Sequence, residues 1–524
     1  MGTFRYPIEI GDLQGQHFER VEALVDTGAV FTAVPRSLLE RLGVPFWDRQ
    51  DFLIADGEHV TYDLGQAMVR VDGRDSPNVV VFGPEDLGAV LGAFTLEALR
   101  LSVDPINRRL IPTPTLPFLM ASAYEMIPVE DAMAMIRGVV RPLPEETVPT
   151  AEADGRILAR DLSSPEDVPA FRASTVDGFA VIAEDLDPSR NVASQIMAGG
   201  ASAPSLTPGN AARIMTGAPV PDGANAVVMI EDTTMDDRRV VLQRSVGPGD
   251  NIRPIGIDVA RGERILTAGT ALDSTDIGLL MTLGYTEVPC FRRPTVAVLS
   301  TGDELVEPGE PLPFGGIRDS NRYALLAAIR EAGAVPLSLG KARDDRELQT
   351  RLVRDGVDRA DVLITSGGVS VGDRDYIKPA LAELGKVHFG RINFRPGMPL
   401  TFAEIGPKLA FGLPGNPVSS LVTFEVFVRP TLRRLQGDRN PERPRVEVEL
   451  EHELGGPGSR VEYHRAIVRW SEGRLVGRST GLQLSSRLMS MVGHNALLIL
   501  EQGSAPIPAG TRLPALLTGP ILSE

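Results

Sequence analysis

The hydrophobic pattern of the first 111 residues is typical of short strands separated by turns. Tyr6–Ile10, Arg20–Val25 and Ala67–Val71 have β character, whereas only the segment from Arg36 to Leu42 is predicted to be plainly helical. We therefore predict a small, mainly β domain at the start of the chain.

The pattern changes to alternating strands and helices between residues 294 and 437. Thr295–Leu299 and Asp361–Thr365 are predicted to be buried strands, and Ser320 is predicted to cap an amphipathic helix. Such alternation is typical of an open α/β sheet, in which ligands bind near the carboxyl ends of the strands. Further along, the period-two alternation of Arg445–Leu450 predicts a closing β-barrel or sandwich.

The amino-acid composition limits the binding partners and the cellular location that we expect for this protein. A formal net charge of −16 over 524 residues argues against nucleic acid or an anionic membrane as a partner. The single cysteine, Cys290, excludes an intrachain disulfide and a cysteine-rich metal site. We find no secretion signal and no apolar run of about 18 residues, so we expect a cytoplasmic protein. Only four of the 53 basic residues are lysines, so anion recognition should fall to guanidinium and backbone N–H groups.

Three polar loops at predicted strand ends have the residue types of an anion site: Ser300–Glu304, Ser366–Tyr376 and Leu413–Ser419. Their glycines let a ligand approach the backbone, where N–H groups cradle a phosphate or another oxyanion. The neighbouring carboxylates suit Mg²⁺, which bridges to phosphate. For one loop alone, a plain turn with solvated acids is the simpler interpretation. Several such loops on one sheet favour a binding site.

The same loops carry a resemblance to a known family. Residues 120–524 resemble the molybdopterin molybdenumtransferases, the molybdenum insertases related to the E domain of gephyrin. The matching motifs occur in the family's order, and Ser174–Ala180 is similar to its S-A-M-D-G-Y-A; the others are Met215–Pro221, Asn251–Arg253, Thr301–Leu305, Ser366–Ser370 and Leu413–Pro417.

This resemblance implies a reaction and a set of site residues. Such enzymes bind adenylylated molybdopterin and molybdate, insert molybdenum and release AMP in a Mg²⁺-dependent step. The implied catalytic residues are Asp177, Glu304 and Asp375, and the implied metal ligands are Asp258, Glu304 and Asp375. The implied substrate contacts are Thr216, Asp344, Ser366, Gly367, Gly368, Ser370, Arg391, Arg395, Pro414, Gly415, Asn416, Pro417, Arg465 and Ser485.

One departure from the family bears on molybdate binding. The family often has Lys-Pro-Gly-Lys-Pro where this chain has Arg395-Pro396-Gly397-Met398-Pro399. The positive charge is kept at the first position and lost at Met398, so the affinity for molybdate is an open question.

The N-terminal region resembles a different family. Asp26-Thr27-Gly28 follows an apolar strand, and Val90-Leu91-Gly92 comes later, as in retropepsin-like aspartic proteases. Their chemistry needs two carboxylates that share one proton, and this domain has a single Asp-Thr-Gly. Asp26 would therefore be catalytic only beside its counterpart in a second chain. The alternative is an inactive domain that dimerises or binds peptides.

Pattern and resemblance together predict a multidomain chain, with an all-β retropepsin-like domain followed by mixed α/β structure: a central open α/β domain with flanking β-rich lobes. The predicted segments are that domain at 1–111, a proline-rich linker at 112–119, an elongated dimerisation or linking domain at 120–164 and 258–292, an inserted lobe at 165–257, the molybdopterin-binding α/β domain at 293–438 and a C-terminal β domain at 440–524.

The resulting hypothesis is a homodimeric molybdenumtransferase that uses Mg²⁺ and small-molecule substrates. A molybdopterin adenylyltransferase or apo-molybdoenzymes are possible protein partners. One alternative is a non-catalytic scaffold that binds molybdopterin or a partner protein. Another is the related adenylyltransferase, which shares the α/β block, although the additional segments 120–292 and 440–524 argue against it.

Overall fold

The computed structural model describes residues 4–26, 29–53, 59–86, 88–104, 108–112, 124–199, 204–369 and 376–523. The chain divides into two compact units, Met1–Ala121 and Ser122–Glu524. No helix within these described ranges is long and apolar enough to cross a membrane.

The N-terminal unit is built mainly of strands, as its sequence predicts. Its strands are β1 (Phe4–Gly11), β2 (Phe18–Val25), β3 (Thr32–Pro35), β4 (Phe46–Leu53), β5 (His59–Val71), β6 (Arg74–Gly83), β7 (Ala89–Leu91), β8 (Leu101–Asp104) and β9 (Arg109–Pro112). Its helices are α1 (Arg36–Arg41) and α2 (Ala93–Ala98). The prediction of one helix was therefore incomplete, because it missed α2.

Seven of the described strands of this unit form one sheet in the order β1-β2-β7-β3-β6-β5-β4, and β8 and β9 pair with each other. An additional pairing between β1 and β5 joins distant members of the sheet, so that it curls around a core. Ile8, Ile10, Val69 and Leu91 are among the side chains that fill this core. β7 lies between β2 and β3, although only a short loop connects those two strands along the chain.

Gly92 lies where the chain leaves β7 and passes the loop that joins β2 to β3. A Cβ atom at this position would approach the carbonyl carbon and oxygen of Phe31 to 2.5 Å and the carbonyl oxygen of Ala29 to 3.0 Å. Both contacts are with backbone, which does not move aside as a side chain does. The insertion of β7 between β2 and β3 therefore requires a glycine at this position.

We expect Gly92→Ala to destabilise this unit by about 2 kcal/mol or more, because the added methyl group overlaps backbone atoms. Hydrogen exchange followed by mass spectrometry should show faster exchange in β2, β3 and β7 and no change in the strands of the second unit. Gly83→Ala is the matched control, since a Cβ there meets its nearest atom at an ordinary 3.4 Å. Equal exchange in both variants would contradict this account of Gly92.

The second unit contains most of the helices. They are α3 (Val129–Val139), α4 (Ser274–Thr282), α5 (Ser320–Glu331), α6 (Arg346–Arg359), α7 (Ile377–Leu384), α8 (Pro417–Thr423) and α9 (Arg429–Leu435), with a π-helical turn at Phe424–Val428 and short 3₁₀ turns at Thr150–Glu152, Ile230–Asp232 and Leu488–Met491.

Its strands fall into several sheets. They are β10 (Glu145–Pro149), β11 (Leu162–Ser163), β12 (Ala173–Ser174), β13 (Gly178–Val181), β14 (Ser189–Ile196), β15 (Asn210–Ile214), β16 (Ala226–Met229), β17 (Thr233–Asp236), β18 (Arg239–Leu242), β19 (Ile252–Arg253), β20 (Arg264–Leu266), β21 (Glu287–Phe291), β22 (Thr295–Thr301), β23 (Leu305–Val306), β24 (Ile317–Arg318), β25 (Val335–Ala342), β26 (Val362–Ser366), β27 (Lys386–Phe389), β28 (Phe394–Arg395), β29 (Thr401–Ile405), β30 (Lys408–Leu413), β31 (Arg445–Leu450), β32 (Val461–Ser471), β33 (Arg474–Ser479), β34 (Ala496–Leu500) and β35 (Arg512–Leu517).

The predicted α/β sheet is present, with its described strands in the order β25-β22-β26-β30-β29-β27. β25, β22, β26 and β30 run parallel, and β29 and β27 form an antiparallel edge. Val296 and Val298 of β22 pack into one hydrophobic core, and Ala297 and Leu299 pack into another. The strand is therefore buried on both faces, as parallel strands between helical layers are.

The predicted cap of α5 was wrong by one residue. The cap is Asp319 rather than Ser320, because the Asp319 carboxylate accepts the N–H of Arg322 at 3.2 Å. Ser320 is instead the first residue of the helix. α8 begins at Pro417, within the predicted loop Leu413–Ser419, and a proline fits the first helical position, where its missing N–H is not needed.

Three further groups of strands are formed by the segments before and after the α/β domain in the sequence. β10 pairs with β21 and β11 pairs with β20, so the segments before and after the inserted lobe pair with each other in two small sheets. The lobe sheet has the order β16-β13-β15-β14-β18-β17, and the C-terminal sheet has the order β28-β32-β33-β31-β35-β34 within the described residues. The β-rich lobes that flank the α/β domain are thus present, and the exact domain boundaries stay predictions.

Candidate active site

The three polar loops lie side by side because the strands before them are parallel neighbours. In the sheet register Ser300 is opposite Ser366, and Ser366 is opposite Leu413. A backbone hydrogen bond from the N–H of Gly367 to the carbonyl of Leu413, 3.0 Å long, continues this alignment into the loops. The carboxyl ends of β22, β26 and β30 therefore form one edge.

An open cavity of about 770 Å³ lies at this edge. It contains nine of the residues predicted to be in the site: Glu304, Asp344, Ser366, Gly367, Gly368, Pro414, Gly415, Asn416 and Pro417. Ser486 and Leu488 line it from the C-terminal part of the chain. The predicted juxtaposition of the three loops is therefore present in the fold.

The carboxylate of Glu304 is folded back over the backbone of Gly302. Gly302 has a φ of +145°, and a Cβ on it would lie 2.5 Å from Oε2 and 2.6 Å from Oε1 of Glu304. Glycine is favoured at this φ, and any other residue would displace the carboxylate from this position. Glu304 itself is exposed at the cavity, so its carboxylate is accessible to a ligand.

The sequence analysis missed Asn321, which joins the loops of β26 and β30. Asn321 is in the first turn of α5, and its Nδ2 donates to Oγ of Ser366 at 2.9 Å and to the carbonyl of Gly415 at 2.7 Å. One side-chain amide thus connects the helix to both loops. Its place two residues after the capping Asp319 is a signal that sequence reasoning had available.

The predicted residues of the inserted lobe do not line this cavity within the described part of one chain. Asp177 and Thr216 contact each other: Oδ1 of Asp177 accepts the Thr216 N–H at 2.7 Å and the Thr216 hydroxyl at 2.8 Å. These hydrogen bonds, the backbone one first, hold the pKa of Asp177 below its usual value. Asp258 lies 3.7 Å from Nη1 of Arg253, and both side chains are about half exposed.

The predicted anion contacts Arg391, Arg395, Arg465 and Ser485 are also absent from the cavity lining. Nη1 of Arg395 lies 3.4 Å from the carboxylate of Glu462, and the Arg391 guanidinium contacts the sulfur of Met398 at 3.5 Å. The carbonyl of Ser485 accepts the N–H of Val418 at 3.1 Å, which brings its segment to the third loop.

Arg465 is fully buried in the C-terminal sheet. Its Nη2 donates to the carbonyl of Leu484 at 3.3 Å and to Oγ of Ser490 at 3.1 Å. Burial lowers the pKa of Arg465 to about 10. Its Nη1 is buried without a hydrogen-bond partner in the described part of the chain.

Two predicted site residues, Ser370 and Asp375, lie outside the described residues. Among the residues that are described, no three histidine, cysteine, aspartate or glutamate side chains converge on one point. Glu304 and Asp344 nevertheless supply carboxylate oxygens to the cavity. Such hard oxygen ligands fit Mg²⁺, which usually takes one or two carboxylates together with phosphate and water.

In the N-terminal unit, Asp26 directly follows β2 and is fixed to β7. Its N–H donates to the carbonyl of Leu91 at 3.1 Å, and its carbonyl accepts the N–H of Ala29 at 3.3 Å. The two predicted motifs of this unit are therefore adjacent. Thr27 and Gly28 lie outside the described residues.

Family models match three consecutive parts of the second unit. Residues 127–284 match the MoeA N-terminal region (domain I and II), residues 297–434 match a probable molybdopterin binding domain, and residues 447–518 match the MoeA C-terminal region (domain IV). The central match contains all three loops of the cavity. Fold and cavity together define a multidomain protein of the MoeA type.

Individual relatives give the same result. The chain is 38% identical over 403 residues to the molybdopterin molybdenumtransferase of Bacillus subtilis, which covers 75% of the chain and 94% of that relative. It is 36% identical over 461 residues to gephyrin of Dictyostelium discoideum, covering 76% of the chain and 63% of that relative's length. The solved structure of a molybdopterin biosynthesis MoeA protein from Pyrococcus horikoshii matches with a TM-score of 0.67 and 32% identity, covering 76% of the chain and 100% of that structure. The chain belongs to the molybdopterin molybdenumtransferase family.

We expect Asn321→Asp to loosen the loops of the cavity. The variant keeps the size of the side chain but replaces the donor that serves Ser366 and Gly415 by an acceptor, so the free energy of unfolding should fall by about 1–3 kcal/mol. Urea unfolding measures that loss, and hydrogen exchange should rise in the segment 413–418. Asn440→Asp, at an exposed asparagine of the same unit, is the control. An unchanged stability and exchange pattern would show that the amide does not hold the loops.

Proposed function

We propose that this protein inserts molybdate into adenylylated molybdopterin and releases AMP, as a molybdopterin molybdenumtransferase of molybdenum cofactor biosynthesis. Membership of the family supports the class of reaction. The observation that carries the proposal is the cavity at the carboxyl edge of β22, β26 and β30, where glycine-rich loops and exposed carboxylates meet. Cleavage of a phosphoanhydride needs positioning and charge neutralisation more than covalent chemistry, and such a cavity can provide both.

The loops supply the contacts for the phosphate part of the substrate. Backbone N–H groups of Gly367 and Gly368 cradle its oxygens, with Ser366 beside them. Pro414, Gly415, Asn416 and Pro417 form a rigid wall, and Ser370 is a further proposed substrate contact. In the family's pattern Asp344 and Thr216 also contact substrate. Asn321 holds Ser366 and Gly415 in place and therefore acts as a positioning residue.

Carboxylates perform the polar chemistry in this proposal. Glu304, Asp375 and Asp258 would hold Mg²⁺, Glu304 and Asp375 would orient the attacking water, and Asp177 would act with them. Mg²⁺, when bound, neutralises negative charge on the phosphate oxygens. The position of the Glu304 carboxylate over Gly302, at the open side of the cavity, supports its role.

Arginines and a serine recognise the oxyanion substrate, molybdate. Arg391, Arg395, Arg465 and Ser485 are the proposed contacts. The unpartnered and buried Nη1 of Arg465 is a donor that an anion would satisfy. Arg395 keeps the positive charge of the family's motif, whereas Met398 contributes none.

Glu304→Gln tests the catalytic proposal, because it removes the negative charge and keeps the shape. We expect AMP release to slow at least about tenfold, which corresponds to about 1.4 kcal/mol of barrier, with an unchanged unfolding transition. Glu310→Gln, an exposed glutamate outside the cavity lining, should retain the wild-type rate. Wild-type turnover by Glu304→Gln would contradict the role of Glu304. Ligand binding without any turnover by the wild type would favour the non-catalytic scaffold.

For the N-terminal unit we propose a retropepsin-like domain that is active only when two copies meet. The contact between the Asp26 loop and β7 supports this fold, and a homodimer would bring two Asp26 carboxylates together. The alternative is a domain that dimerises or binds peptides without cleaving them. We place the protein in the cytoplasm, with a molybdopterin adenylyltransferase or apo-molybdoenzymes as candidate partners.

Asp26→Asn separates these two possibilities, since it keeps the side-chain size but removes the shared proton of the pair. We expect cleavage of a peptide library by the wild type, strongest at mildly acidic pH where one carboxyl of the pair is protonated, and none by the variant. Asp86→Asn, an exposed aspartate of the same unit, should cleave normally. AMP release should persist in Asp26→Asn, and light scattering should show the same dimer for all three proteins. Absence of cleavage by the wild type at every pH would contradict the protease proposal.

A further inference from the structure

The charge of the cavity is strongly uneven among its described lining residues. Glu304, Asp319 and Asp344 are acidic, and Arg318 is the only lysine or arginine among them. The arginines expected from the family's pattern lie elsewhere in the fold. Among the described lining residues, Arg318 therefore supplies the one guanidinium group that an anion in this cavity can meet.

The backbone around Arg318 is held on both sides. Arg318 ends β24, which pairs with β23, and the N–H of Ile317 donates to the carbonyl of Glu304 at 2.8 Å. On its other side, the N–H of Asp319 donates to the carbonyl of Val306 at 2.9 Å. The Cα of Arg318 is thus fixed beside the loop that carries Glu304, while its side chain is exposed.

The nearby acidic groups already have a cation of their own, Arg322. Its Nε donates to Asp319 at 2.8 Å, and its Nη2 donates to both carboxylate oxygens of Glu307 at 2.5 and 2.7 Å. The other nearby cation, Lys341, donates to the carbonyl of Leu305 at 2.8 Å. The side chain of Arg318 makes no hydrogen bond or ion pair within the part of the chain that the structure describes. Its five donors are therefore available to a ligand.

We propose that Arg318 binds the phosphate of the nucleotide part of the substrate. This inference rests on the proposed function, because it names a further contact in the same cavity. The planar guanidinium matches two phosphate oxygens at once, and it lines the same cavity as the glycine-rich loops that supply backbone N–H donors. The carboxylates of Glu304 and Asp344, which line that cavity too, are candidates for the metal, so cation and anion sites would be close together.

A binding experiment with two probes tests this assignment. AMP carries the phosphate and adenosine lacks it, so the difference between them isolates the contact. We expect Arg318→Gln to weaken AMP binding at least about tenfold in equilibrium dialysis and to leave adenosine binding unchanged. The affinity of the wild type for AMP should fall as salt is added, and that dependence should be weaker in the variant. Arg351→Gln removes an exposed arginine of the same domain outside this cavity and should bind both probes like the wild type.

The possible results separate the failure of this inference from the failure of the proposed function. Equal AMP affinity in Arg318→Gln and the wild type would overturn the role of Arg318 and leave the transferase proposal standing. Weakened binding of inorganic molybdate with unchanged AMP binding would also overturn it, because the contact would then belong to the other anion. Absence of AMP binding by the folded wild type would overturn both proposals. Arg318→Lys keeps the charge without the planar fork, and we expect it to recover part of the lost affinity.

Discussion

The parallel pairing of β22, β26 and β30 is the constraint on which the rest of the site depends. Parallel neighbours end at the same edge of a sheet, so three loops that are far apart in the sequence become adjacent in space. The strands are fixed by burial, since the side chains of β22 alternate between two hydrophobic cores. The edge of the sheet is therefore rigid, and the polar loops begin from fixed strand ends.

Polar groups then tie α5 to that edge. Asp319 caps the helix, accepts the hydroxyl of Ser300 at 3.0 Å and pairs with Arg322. A buried ion pair costs solvation and so adds little net stability, but removal of one partner is expensive. Its value here lies in position, because it fixes the start of α5 and with it Asn321 and Arg318. The helix thus places the amide of Asn321 on the loops, and β24, which comes just before the helix, places the guanidinium of Arg318 at the cavity.

Much of this architecture was readable in the sequence, because local patterns carry it. The alternation of strands and helices and the order of the polar loops predicted the α/β sheet and the edge where Glu304 and Gly367 meet. The errors, at the cap of α5 and at Arg318, concern features that depend on tertiary contacts. Asp319 rather than Ser320 caps α5, and its contacts with Ser300 and Arg322 are tertiary features that the local sequence pattern does not show. Arg318 was missed because its place at the cavity depends on the pairing of β24 with β23, two short strands that the sequence pattern did not predict.

The site residues implied by the family's pattern are only partly brought together within a single chain. Loops of the α/β domain that carry predicted residues converge. Asp177 and Thr216 of the inserted lobe, and Asp258 directly after it, do not line the same cavity within the described part of one chain. A sequence motif identifies a residue as part of a site, but it does not give the distance between that residue and the other members of the site. In the N-terminal unit, likewise, Asp26 and β7 are far apart in the sequence, and only the fold shows that they are adjacent.

The central claim is that the cavity at the carboxyl edge of the α/β sheet carries out molybdenum insertion. Its most direct test is to incubate the purified full-length protein with adenylylated molybdopterin, Mg²⁺ and molybdate, and to measure released AMP and bound molybdenum together. The account predicts AMP release that requires molybdate, with one AMP for each molybdenum atom inserted. No release above the protein-free background, or release that is the same without molybdate and leaves no molybdenum on the product, would contradict it.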